Sequence, residues 1–159
     1  MLRLKSIFII TAILITISLS GCSEDSDPIA PQEEHFEPVG MVIFDSGIKV
    51  LDYYAPDFPT GTTEIGDTIK ISIGLSPHYT LKFYDETKTL IDPPTDPDMT
   101  FGAVFSNASI AQLQWDAGEE GSFAFHINGL AVGITKAEFQ ILHAGHADFR
   151  TLLVPILVQ

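Results

Sequence analysis

The chain has a single cysteine, Cys22, which excludes any disulfide within it. Basic residues are also scarce, with 8 Lys and Arg against 21 Asp and Glu for a formal charge of −13. Two of those basic residues precede Cys22 and every acidic one follows it. From Cys22 onward, six basic residues face 21 acidic ones, a formal charge of −15. Such a surface argues against nucleic acid and anionic lipid as partners, because both demand positive charge. Also missing are a Gly-x-Ser-x-Gly elbow, a glycine-rich loop leading into a helix, and any capped helical stripe of a dozen residues. Without long crossover helices a parallel βαβ sheet is not expected, and nothing in the sequence asks for an enzyme.

The one sustained apolar run is short as well. Residues 7–19 follow Arg3 and Lys5 and fall below the roughly 20 apolar residues needed to cross a bilayer, so residues 1–21 read as a cleaved secretory signal peptide. The run closes on Leu19-Ser20-Gly21-Cys22, which resembles the lipobox of bacterial lipoproteins. That resemblance implies a diacylglycerol on Cys22, usually with a third acyl chain such as palmitate on its amine. Two or more chains anchor stably, at about 0.8 kcal/mol per buried methylene. The expected location is the cell membrane or outer membrane, facing the periplasm or the exterior. The expected partners are the membrane, through the lipid on Cys22, and another envelope protein.

After Cys22, residues 22–38 form an acidic, proline-containing stretch without apolar periodicity, the composition of an extended tether. Residues 39–159 change character and show short apolar runs with period 2, broken by Gly, Pro and Asp. In 68–73 the isoleucines 69, 71 and 73 alternate with polar residues, and Ala111, Leu113 and Trp115 do the same opposite Gln112, Gln114 and Asp116. Phe123, Phe125 and Ile127 alternate with Ser122, Ala124 and His126. Further strands are expected at 39–44, 48–54, 80–84, 103–105, 134–142 and 149–158, giving eight or nine. Pro155 cannot donate to a ladder, so the last strand is expected to have one side at an edge or a bulge. The fold class expected is all-β, an antiparallel sandwich of about eight strands, with a barrel as the competing arrangement.

Several of these segments together resemble bacterial immunoglobulin-like domains: Gly66-Asp67-Thr68, Leu81-Lys82-Phe83-Tyr84-Asp85, Asn107-Ala108-Ser109-Ile110-Ala111, Gly129 to Gly133 before Ile134-Thr135, and Val154-Pro155-Ile156-Leu157-Val158. The resemblance covers roughly residues 39–159 and implies a sandwich, with an activity left open.

Against that background, His143, His146 and Asp148 are the main chemical candidates. Imidazole nitrogen and carboxylate oxygen suit zinc or copper, and Gly145 allows a tight turn between the two rings. The alternative is a pair of solvated surface histidines. If strands 122–128 and 134–142 were neighbours, His126 would sit near Thr135, far from His143. The loop 116–121 would reach the His143 end instead, making Asp116, Glu119 or Glu120 the easier fourth ligand. His126 and His35, the latter on the tether, are weaker candidates. Asp92, Asp96 and Asp98 lack the glycine and distal glutamate of a calcium loop and read as a stiff acidic turn. Tyr53, Tyr54, Phe58, Tyr79 and Tyr84 are expected in core and rim packing rather than on a sugar or peptide surface. His78 has no partner nearby in sequence. The overall expectation is a membrane-anchored, non-enzymatic binding or structural module, with a lipoprotein that holds or transfers zinc or copper as the alternative.

Overall fold

The structure, a computed structural model, describes residues 36–59, 64–65 and 68–159. The expected signal peptide, Cys22, the expected tether up to residue 35 and with it His35 lie outside the described residues. Among the described residues there is no helix, as the missing helical stripes require.

Thirteen strands follow in order: β1 Gly40–Asp45, β2 Ile48–Tyr54, β3 Glu64–Ile65, β4 Ile69–Ile71, β5 Gly74–Leu75, β6 Tyr79–Tyr84, β7 Leu90–Ile91, β8 Met99–Phe105, β9 Ala111–Gln114, β10 Ala124–Gly129, β11 Gly133–His143, β12 His146–Arg150 and β13 Val154–Val158. One sheet has eight strands along the path β3-β2-β1-β6-β10-β5, with β7 paired to β6 and β9 to β10. The other has five along β12-β11-β13-β4, with β8 paired to β11. The result is a β-sandwich. The excess over eight or nine strands comes mostly from two-residue pairings at β3, β5 and β7.

Alternation in sequence becomes burial in space. Phe125 and Ile127 of β10 and Phe139 and Ile141 of β11 are fully enclosed, while Ala124 and His126 lie on the opposite face. Phe125 from the first sheet stands 4.8 Å, centroid to centroid, from Phe101 of the second, and Phe101 stacks at 5.7 Å on Phe139. Phe83 of β6 likewise meets Phe149 of β12 edge-on at 6.0 Å. Aromatic pairs of this kind add about 0.5–1.5 kcal/mol beyond their buried area, so they clamp the two layers together. Tyr53 and Tyr79 join this core as expected, and burial raises the pKa of both phenols. Two hairpins are tied by two-residue loops with positive φ at both positions, Ser46-Gly47 (49° and 84°) and Ala144-Gly145 (47° and 89°). That geometry matches the twist of the flanking strands.

Four expectations are corrected. Ile73 does not share the inner face with Ile69 and Ile71: β4 stops at Ile71, the chain turns at Gly74 (φ 95°) into the other sheet, and Ile73 is left 61% exposed. Residues 149–158 are not one strand, because β12 ends at Arg150 and β13 begins at Val154. Strands β10 and β11 are not neighbours; β10 pairs with β5, β6 and β9, and β11 with β8, β12 and β13. Finally, one pairing is parallel, β13 against β4. It needs no crossover helix, because the chain between them builds most of both sheets. That parallel ladder starts at Ile156, so Pro155 sits where one side of β13 is still unpaired, as its missing N–H requires.

In the gap between β12 and β13 a side chain replaces a rung. The Thr151 amide donates to the Phe139 carbonyl at 2.9 Å, and the Phe139 amide donates to Thr151 Oγ1 at 3.0 Å. The same exchange occurs before β6, where the Ser76 amide donates to the Ile127 carbonyl and the Ile127 amide to Ser76 Oγ, both at 2.9 Å. Each hydroxyl oxygen takes the place of a carbonyl in an antiparallel pair.

Candidate functional site

The expected histidine turn forms. His143 ends β11 and His146 opens β12, in register as cross-strand partners around Ala144-Gly145, with ring centroids 6.2 Å apart. His143 Nδ1 lies 3.4 Å from Asp148 Oδ2, and these side chains are 9% and 5% exposed. The pair is therefore nearly enclosed and engaged with itself, while His146 faces solvent. The three do not bring one ligand atom each to a common point.

Loop 116–121 does reach this end of the sandwich, by a different route. The Phe101 amide donates to the Gly121 carbonyl at 2.7 Å, and β8 carries the contact to β11 through the Met99 and His143 pairing. Asp116 itself goes elsewhere.

Among the described residues, one group of three His, Asp or Glu side chains converges with its ligand atoms within 4.8 Å of one another: His78, Asp116 and His126. Each comes from a separate segment. His126 projects from the outer face of β10, opposite Gln114 of β9. Asp116 follows Gln114 by two positions, and its carbonyl accepts from the Glu119 amide at 3.0 Å in a turn. His78 is held over β10 because Ser76 is fastened to Ile127 by the paired bonds described above. His126 Nδ1 is 2.9 Å from the Ser76 carbonyl. A carbonyl only accepts, so Nδ1 carries the proton and, in the neutral ring, Nε2 bears the lone pair. Nε2 lies 3.7 Å from Asp116 Oδ1, and the His78 ring centroid is 5.0 Å from that of His126. His126 is 14% exposed at its side chain and Asp116 64%; His78 is exposed. Sequence reasoning missed His78 because its partners lie in segments distant in the chain.

A second feature is apolar. Strand β8 pairs only with β11 and strand β9 only with β10, so each presents an outer edge of its own sheet. Between them lies an open cleft of about 790 Å³, whose lining includes Ala103, Val104, Phe105, Leu113 and Trp115. The Trp115 indole N–H donates to the Ser122 carbonyl at 3.0 Å, which fixes the ring at the rim. Val104 is 57% exposed.

The sequence matches no protein-family profile and no curated protein. Among solved structures it is similar to domains 4 and 5 of the S-layer protein SbsC, at 12% identity and a TM-score of 0.38, over 74% of this chain and 74% of that one.

Proposed function

We propose that the chain is a lipid-anchored, non-enzymatic binding module of the cell envelope, with an immunoglobulin-like sandwich as its working domain. The observation that carries this reading is the apolar cleft between β8 and β9. Large side chains line a gap between two sheet edges, in a domain whose charge is strongly acidic. An extended segment of an envelope protein fits that chemistry: it would add to a strand edge, seat apolar side chains near Trp115 and Leu113, and carry basic flanks towards the acidic surface. The lipid on Cys22 would supply the address.

The test uses the full-length chain in its own membrane, with a photo-crosslinking residue at Val104 or, as control, at Lys70. A defined adduct at Val104 that is absent at Lys70 and lost with Trp115→Ala is expected. Equal adducts at both positions would defeat the reading. Cys22→Ser should release the chain from the membrane fraction; retention would remove the lipid anchor from the proposal.

A metal-holding role at His143, His146 and Asp148 with zinc or copper is the weaker reading. His143 and Asp148 are engaged in the fold and nearly enclosed, which leaves His146 as the accessible ligand.

A further inference from the structure

The geometry points to a metal site at His78, Asp116 and His126, on the outer face of β10, which takes a divalent transition ion of the zinc class and leaves one coordination position open. This goes beyond the binding-module reading and does not depend on it.

Three observations carry the assignment. First, two imidazoles and a carboxylate from three different segments converge with their ligand atoms within 4.8 Å of one another. In a tetrahedral zinc site with bonds of about 2.0–2.2 Å, ligand atoms stand roughly 3.3–3.5 Å apart. The 3.7 Å between His126 Nε2 and Asp116 Oδ1 is already close to that value. His78 and Asp116 are exposed and can close the remainder by side-chain rotation, because no packed core has to move.

Second, the least mobile ligand is oriented for the task. The Ser76 carbonyl holds the proton on His126 Nδ1 and so leaves Nε2 as donor to the ion. A backbone carbonyl behind a histidine is a common outer support of metal-bound imidazole: it fixes ring and tautomer and makes the free nitrogen more basic. Ser76 is itself pinned by its amide and hydroxyl to Ile127, beside His126 in the same strand, so the support is built into the sheet. That bridge also delivers His78, two residues later, to the same face.

Third, the polar side chain across the strand pair from His126 is occupied. Gln114, opposite His126, accepts from Asn128 Nδ2 at 3.0 Å. Among the described residues three ligands converge, so a fourth position falls to water or to another donor. An N₂O set favours zinc or copper(II) over calcium or magnesium, which seek oxygen-only shells. An exposed ion with an open position can be handed on, in contrast to one sealed in a structural site.

The experiment is a calorimetric titration of the full-length protein in detergent micelles with zinc chloride. Cobalt(II) serves in parallel as an optical probe of coordination, and circular dichroism verifies the fold of each variant. The wild type should take up about one equivalent, with cobalt giving the visible bands of a four- or five-coordinate nitrogen and oxygen site. His78→Ala and Asp116→Asn, both at exposed positions, should each weaken zinc binding at least tenfold, while His146→Ala leaves it unchanged. In a nitrogen-detected NMR experiment, zinc should shift the Nε2 resonance of His126 and leave Nδ1 protonated. The assignment is overturned if the wild type takes up no zinc, if His78→Ala and Asp116→Asn leave uptake unaltered, or if uptake is abolished by His146→Ala alone.

Discussion

Replacing Thr151 by valine tests the rung that ties the gap between β12 and β13 to Phe139 of β11. Threonine and valine have nearly the same shape, so the substitution removes an oxygen and little volume. Thr151 and Phe139 are both 0% exposed, and the oxygen removed is the acceptor of the Phe139 amide at 3.0 Å. No water reaches that amide in compensation, so the cost is that of leaving a buried donor unpaired, about 1–3 kcal/mol. For a domain of this size the melting temperature should fall by about 3–6 °C per kcal/mol, or roughly 6–12 °C at the middle of that range. Thr151→Ser provides the contrast: it keeps the oxygen and loses one methyl, at about 1 kcal/mol. Thermal and urea unfolding followed by circular dichroism should rank wild type above Thr151→Ser and Thr151→Val lowest. Hydrogen exchange of the Phe139 amide should quicken only in the valine variant. A valine variant as stable as wild type, or more stable than the serine one, would refute the reasoning.

Three further outcomes follow from the same structure. Ala144 holds a φ of 47° that an L side chain with a Cβ adopts reluctantly, so Ala144→Asn, giving Asn-Gly in that turn, should raise stability by about 1 kcal/mol in urea unfolding. Gly129→Ala would place a Cβ 2.5 Å from the Ser72 carbonyl oxygen and 2.9 Å from Val158 Cγ1, so the same assay should show a loss of about 1–3 kcal/mol. Burial raises the pKa of Tyr53 and Tyr79 above the ordinary 10.0, so ionisation favours the unfolded chain. Stability should hold below about pH 10 and fall as pH rises from there through the raised values, with Tyr53→Phe flattening the decline in an alkaline titration read at the tyrosinate absorbance.

Much of the fold was legible in the sequence. Period-2 alternation located β2, β6, β9, β10 and β11 to within a few residues, because their two faces differ in burial, while β1, buried on both faces from Gly40 to Ile43, showed as a short apolar run. Alternation says nothing about which strands adjoin, and that is where the reading departed: β10 and β11 share a short connection yet lie in different sheets. Residues 149–158 carry no turn signal at Thr151-Leu152, since a buried threonine bridging to Phe139 looks in sequence like any strand threonine. The candidate sites divide along the same line. The turn at Gly145 could be inferred from adjacent residues. The convergence of His78, Asp116 and His126 depends on the pairing of β9 with β10 and on Ser76 docking to Ile127, contacts that no local pattern encodes.

The parallel ladder between β13 and β4 has a kinetic meaning. Ile156, at the heart of β13, is fully enclosed between β11 and β4, its partners lying on opposite sides of most of the domain's sequence. The second sheet therefore cannot assemble from its early strands alone, and β4 waits for residues 154–158 before it has anything to join. Chains with such distant pairings close late and slowly. Completion of the second sheet is therefore tied to the arrival of β13, the latest of the described strands, and a perturbation there should slow refolding of that sheet more than of the first.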